Sequence, residues 1–84
     1  MSVSARLAEL GLELPAVAAP LAAYVPAVRT GNLVFTAGQL PMVDGKLVRT
    51  GKVGAAVTPE QAAELARIAA FNALAAVDAL VGLD

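Results

Sequence analysis

The chain contains no cysteine, no histidine and no tryptophan, and its 84 residues include only one tyrosine and two phenylalanines. Without cysteine or histidine there can be no disulfide framework, thiolate nucleophile, imidazole base or zinc finger. Charge is also scarce: Asp and Glu number 7, Lys and Arg 6, and the net charge is −1. A nucleic-acid surface built on bulk electrostatics does not fit that balance. Long apolar runs are missing as well. The longest uncharged stretch, Leu14–Val28, is broken by Pro15, Pro20 and Pro26, whereas a membrane-spanning helix needs about 20 apolar residues in an unbroken run. Glu9 and Glu13 sit where the apolar core of a signal peptide would follow Arg6, so a cytoplasmic protein is the default expectation.

What the chain has in abundance is small apolar side chains. Hydrophobic residues make up 58% of it, which excludes intrinsic disorder, and 20 of the 84 residues are alanine. The core must therefore close through backbone proximity. At this length the chain is one domain at most.

Residues 2–10 predict a short amphipathic helix. Val3, Leu7, Leu10 and Leu14 recur at helical spacing, Ser2 or Ser4 can cap its start, and Gly11 suits the position after its end. Leu14–Ala23, with two prolines, reads as an extended linker. The pattern then turns to strand. AYVPAVRT and LVFTAGQLPM flank Gly31-Asn32, a loop of the type II′ kind, and Asp44-Gly45 predicts a type I′ hairpin between QLPMV and KLVRT. Gly38 falls inside the second strand pattern, where glycine marks a bulge, a kink or a close backbone approach.

Thr58-Pro59-Glu60-Gln61 opens a helix that should run from about Pro59 to Val81, with Gly82 following it. Steps of 100° place Ala62, Leu65, Ala66, Ala69, Ala73, Ala76, Val77 and Leu80 on one face. Phe71 falls among the charged residues of the opposite face, and docking under the N-terminal helix, against Leu7 and Leu10, would give it a partner.

One physical problem follows. Leu33, Phe35 and Ala37 alternate with Val34 and Thr36, so both faces of this strand call for burial. A single long helix can cover one of them. The other must meet a second sheet, from another subunit or from further chain, because a lone core of this size rarely yields more than about 3–5 kcal/mol.

Candidate chemistry on residue spacing alone is thin. Lys46, Arg49 and Lys52 would point to opposite faces of a strand with no aromatic between them, which fits a solvated hairpin better than an RNA surface. Gly51-Lys52-Val53-Gly54 lacks the ending and the helix of a phosphate loop. The carboxylates form no cluster suited to a divalent cation, and Glu60 and Glu64 belong to a helix N-terminus. Tyr24 fits a rim residue with a buried ring and a wet hydroxyl, and Thr36 and Gln39, flanking Gly38, could line a small pocket with its backbone N–H.

The stretch Tyr24-Val25-Pro26-Ala27-Val28-Arg29-Thr30-Gly31-Asn32-Leu33-Val34-Phe35-Thr36-Ala37-Gly38-Gln39-Leu40-Pro41 resembles the opening of the RidA family, also called YjgF or endoribonuclease L-PSP. That pattern has a Tyr-led strand, a Gly-Asn turn, and an apolar strand ending T-S-G-Q-[IL]-P. Gln61–Leu83 is similar to the family's first long helix, including Asn72 and the closing Gly-Leu. The likeness covers about Ala16 to Asp84. It divides the chain into an N-terminal helical extension at 1–15, similar to that of a longer bacterial subgroup, and a partial RidA-like domain at 16–84.

The resemblance implies an α+β, chorismate-mutase-like fold, with an antiparallel sheet packed on one long helix and a short N-terminal helix added. It implies a homotrimer, or pairing with a full-length paralogue, and a small-molecule substrate bound at a subunit interface. No cofactor, nucleic acid or membrane partner is implied. The implied activity is hydrolysis of reactive enamines and imines, such as 2-aminoacrylate, to keto acid and ammonia. In the family an Arg grips the substrate carboxylate and a late Glu positions water. Arg29, Arg49 and Arg67 do not match that Arg motif, and position 37 is Ala where the family usually has Ser. With its family counterpart of the second half missing, the chain is expected to be impaired as a deaminase, and a non-catalytic assembly module is the alternative. What carries over as substrate-binding is Tyr24 as pocket wall, Gly38 as backbone donor, and Gln39 beside them.

Overall fold

The computed structural model describes residues 2–20 and 22–84. Met1 of the expected extension and Leu21 of the expected linker lie outside the described residues. The element order is α1 (Val3–Glu9), β1 (Ala27–Thr30), β2 (Leu33–Thr36), β3 (Met42–Val43), β4 (Lys46–Leu47) and α2 (Pro59–Val81).

The two helices begin where their capping residues dictate. Ser2 accepts from the Ala5 N–H at the start of α1, and Gly11 takes φ +69 just past its end. At α2, Thr58 Oγ1 accepts from the Gln61 N–H while Gln61 Oε1 accepts from the Thr58 N–H, so the capping box is complete, with Pro59 in the first turn. Val57, immediately before the cap, is only 2% exposed.

The glycine turns set the registers of two hairpins. β1 pairs antiparallel with β2, Val28 opposite Phe35 and Thr30 opposite Leu33. Gly31 has φ +58 and Asn32 does not share a positive φ, the signature of a type II′ turn. β3 pairs with β4, Met42 opposite Leu47, around Asp44 (φ 53) and Gly45 (φ 79), both left-handed as type I′ requires. The strands are shorter than the apolar pattern suggests, and they form two separate two-stranded sheets. The expected run through LVFTAGQLPM is interrupted at 37–41. The reason lies in the prolines: Pro26 and Pro41 carry no N–H for a ladder, and Pro26 leaves only its carbonyl, which accepts from Ala37 N at 2.9 Å.

α2 packs against β1, β2 and β3 and so holds both hairpins. Its inward stripe is rotated from the expected one. Asn72, Ala75 and Ala76 are buried, Leu65, Ile68, Ala69 and Ala73 half-buried, while Ala66 and Leu80 of the expected face are exposed. The stripe follows Ile68 and Asn72 because a buried amide with two acceptors decides the rotation more firmly than alanine area does.

On the β1–β2 hairpin, Ala27 and Val34 are half-buried on the side that faces α2. Thr36 shares that side but is exposed at the hairpin's end. Val28, Leu33 and Phe35 share the opposite side and are 47%, 61% and 56% exposed. The single long helix thus covers one face and leaves an apolar one bare within the chain.

The expected docking of Phe71 under α1 does not occur. Phe71 is half-buried along a cavity of about 640 Å³ whose wall includes residues 13–19, and the Arg67 guanidinium lies 5.3 Å from its ring centroid. That cation–π geometry explains why the ring sits among charged residues. Leu7 instead lines a cavity with Asp78 and Leu83, and Leu10 is exposed.

α1 is tied to the end of α2 by Asp84. The Ser4 hydroxyl donates to Asp84 Oδ2, and the Ser4 N–H donates to Oδ1 at 3.0 Å. These two bonds, the hydroxyl's first, hold the Asp84 carboxyl below the ordinary carboxylate range. A carboxyl whose pKa is depressed on folding stabilises the folded state above its unfolded pKa. That contribution is lost as pH falls through the depressed value. In an NMR titration, Ser4→Ala should therefore raise the Asp84 midpoint toward the ordinary range. An unchanged midpoint would show that the tie does not form.

Candidate binding site

Three side chains or backbone groups singled out by sequence converge in one place. Tyr24, Gly38 and Gln39 line a small cavity of about 20 Å³ together with Ala18, Ala19, Pro26, Leu40 and Met42. Tyr24 is positioned by the chain entering β1, where its N–H donates to Ala22 O at 2.9 Å. Gly38 and Gln39 arrive on the irregular segment between β2 and β3. Gln39 is half-buried, and its Nε2 reaches back toward Ala37 O at 3.4 Å. Thr36, the other residue flanking Gly38, is not among those lining the cavity.

The reason for glycine at position 38 is not the expected one. Its φ is not left-handed, and a Cβ built there would meet no heavy atom within 4 Å. Neither a bulge strain nor a close approach within this chain demands it. The absent side chain leaves open space in front of a backbone segment lining the cavity.

The residue that sequence reasoning passed over is Asn72. It belongs to a helix pattern, yet it is the largest fully buried side chain among the described residues. Its Nδ2 donates to Leu40 O at 3.0 Å and to Met42 O at 3.1 Å, joining mid-α2 to the segment that carries Gly38 and Gln39. The available signal was an asparagine inside an otherwise apolar helical stripe, where a polar group survives only with partners.

The arginines hold no common position. Arg29 Nε donates to Gly31 O within its own turn, and Arg67 stacks on Phe71, so neither is presented to the cavity of Tyr24. Among the described residues no helix is long and apolar enough to cross a membrane.

Two small antiparallel sheets held on one long helix, with a short helix ahead of them, define an α+β protein of the chorismate-mutase-like class. Comparison with known proteins carries this further. Residues 4–83 match the family model described as "YjgF/chorismate mutase-like, putative endoribonuclease", and the chain belongs to that family. It is 38% identical over 80 residues, 95% of its length, to Protein TCP17 of Trypanosoma cruzi. Its fold is similar to the crystal structure of a putative endoribonuclease from Shewanella oneidensis, with TM-score 0.90, 37% identity and 99% of this chain covered. The protein Atu1372 from Agrobacterium tumefaciens, of unknown function, superposes with TM-score 0.77, 44% identity and 95% of this chain covered. The chain spans about half the length of these proteins: 50% of TCP17, 55% of the Shewanella protein and 48% of Atu1372.

Proposed function

We propose that this chain supplies one wall of an enamine/imine deaminase pocket, with Tyr24 as its side, Gly38 as a backbone donor and Gln39 beside it. The convergence of those three positions on one cavity is the observation that carries the reading. The chemistry is hydrolytic. A 2-aminoacrylate-type enamine takes a proton at its terminal carbon to become the imine, water adds to the imine carbon, the carbon–nitrogen bond of the resulting adduct breaks, and keto acid and ammonia leave with no change of redox state. A carboxylate-gripping Arg and a water-positioning Glu, which RidA-like proteins use, have no matching positions among these 84 residues. The wall binds and orients, and turnover by the chain alone is impaired.

Ammonia release from a 2-aminoacrylate-generating system tests this, with a full-length relative assayed beside the chain. Loss of a group that stabilises transition-state charge typically costs about 10²–10³ in rate, so release should exceed buffer yet fall short of the relative by at least that factor. No release above buffer from an assembled sample would retire the deaminase reading, and a rate equal to the relative's would overturn the impairment.

A second reading rests on a different observation, the bare apolar face of Val28, Leu33 and Phe35. In it the chain is a non-catalytic assembly module that pairs this face with two further copies, a trimer by family resemblance, or with a full-length paralogue. The word endoribonuclease in the relatives' descriptions belongs to them. A net charge of −1 gives this chain no electrostatic footprint for RNA.

A further inference from the structure

Asn72 stands between the helix and the candidate site, and its placement is costly unless it is needed. Asparagine is a poor helix former in the middle of a 23-residue helix, and an amide taken out of water must be fully partnered. Here Asn72 is 2% exposed, and both of its donor contacts go to carbonyls of one short segment, Leu40 O and Met42 O, on either side of Pro41.

That segment has little else to hold it. β2 ends at Thr36 and β3 begins at Met42. Between them Ala37 N donates to Pro26 O and Met42 N to Leu40 O, while Pro41 has no N–H and only its carbonyl is used, by Val48 N. None of these backbone bonds links the segment to α2. The same segment contributes Gly38, Gln39, Leu40 and Met42 to the cavity shared with Tyr24. Asn72 lines the larger cavity beside Phe71, and Met42, whose carbonyl accepts from its amide, lines both spaces.

We infer that Asn72 is a positioning residue for this site: its amide sets where the Gly38–Gln39 backbone stands relative to Tyr24. This deepens the proposed pocket and rests on it for its functional meaning. The alternative is an amide that merely contributes to the stability of the core.

The test is spectroscopic and needs no turnover. Tyr24 is the sole tyrosine and there is no tryptophan, so intrinsic fluorescence reports on the site alone. In Asn72→Leu, which removes both donors, α2 should keep its circular dichroism. The backbone amide resonances of Gly38, Gln39, Leu40 and Met42 should shift or broaden, and quenching of Tyr24 by acrylamide should rise at least twofold. Amides of α1 and of the 31–32 turn should stay where they are. Unchanged resonances at 38–42 in the folded variant, or a change spread evenly over the molecule, would overturn the inference. If Asn72→Leu fails to fold, the unmodified chain can still refute it. Its Asn72 side-chain amide protons should exchange with solvent at least a hundredfold more slowly than those of exposed Asn32, and equal rates would overturn the assignment. Silence in the ammonia assay leaves these readouts untouched, so the two ideas fail separately.

Discussion

Gly51→Ala should destabilise the chain by about 3 kcal/mol, most of what a core of this size supplies. Gly51 adopts φ +136, outside the range that L side chains favour. A Cβ there would lie 2.7 Å from Ala56 Cβ and 3.2 Å from Val57 Cγ2, so the loop could not keep its path. The path matters because the loop folds back on itself. Val57 N and Ala55 N both donate to Lys52 O, Gly54 N donates to Val57 O at 2.7 Å, and Val53 bridges Val57. The closure delivers Val57, 2% exposed, to the core one residue before the Thr58 cap. Disturbing Gly51 therefore disturbs both a core side chain and the start of α2. Urea unfolding of the variant measures the effect directly. A loss smaller than about 0.5 kcal/mol, typical of an open surface site, would show that the loop relaxes freely.

The second large effect concerns the bare hairpin face. Leu33 and Phe35 stand side by side on β2, 61% and 56% exposed in the single chain, with Val28 opposite Phe35. If nothing covers them, changing both to serine alters stability by no more than about 0.5 kcal/mol each. If another polypeptide covers them, each loses burial worth about 1.5–3 kcal/mol. Together that weakens association by roughly a hundredfold to ten-thousandfold. The double variant Leu33→Ser/Phe35→Ser should accordingly shift the assembly toward single chains at micromolar concentration while circular dichroism still shows α2. Sedimentation velocity separates the outcomes, and an unshifted assembly would place the interface elsewhere.

Much of this was legible in the residues because the signals were local. Thr58-Pro59-Glu60-Gln61 encodes a helix start through side chain–backbone bonds that span three residues, and Gly31-Asn32 and Asp44-Gly45 encode turns through φ preference. The resemblance to the family rests on the Tyr24–Pro41 stretch and on Gln61–Leu83, and the α+β class comes with it. Tyr24, Gly38 and Gln39 could be named as candidates, and the structure gathers them on one cavity.

What was not legible depends on partners distant in sequence. The rotation of α2 is decided by Asn72 meeting carbonyls 32 and 30 positions away, at Leu40 and Met42, and no periodicity of apolar residues records that pairing. Phe71 finds no partner in the sequence pattern other than Leu7 and Leu10 of the expected N-terminal helix. The space it lines is formed in part by residues 13–19, a stretch without regular structure, so no helical or strand pattern pointed there. The break at 37–41 was encoded in Pro26 and Pro41, but their effect depends on which strand edge each one faces.

Assembly through the apolar side of the β1–β2 hairpin is the expected fate of Val28, Leu33 and Phe35. The direct measurement is the mass of the purified chain in solution by light scattering at tens of micromolar. A multiple of 8.4 kDa, threefold by the family resemblance, is the predicted result. A cooperatively folded species of 8.4 kDa, with Leu33 and Phe35 left in water, would contradict it.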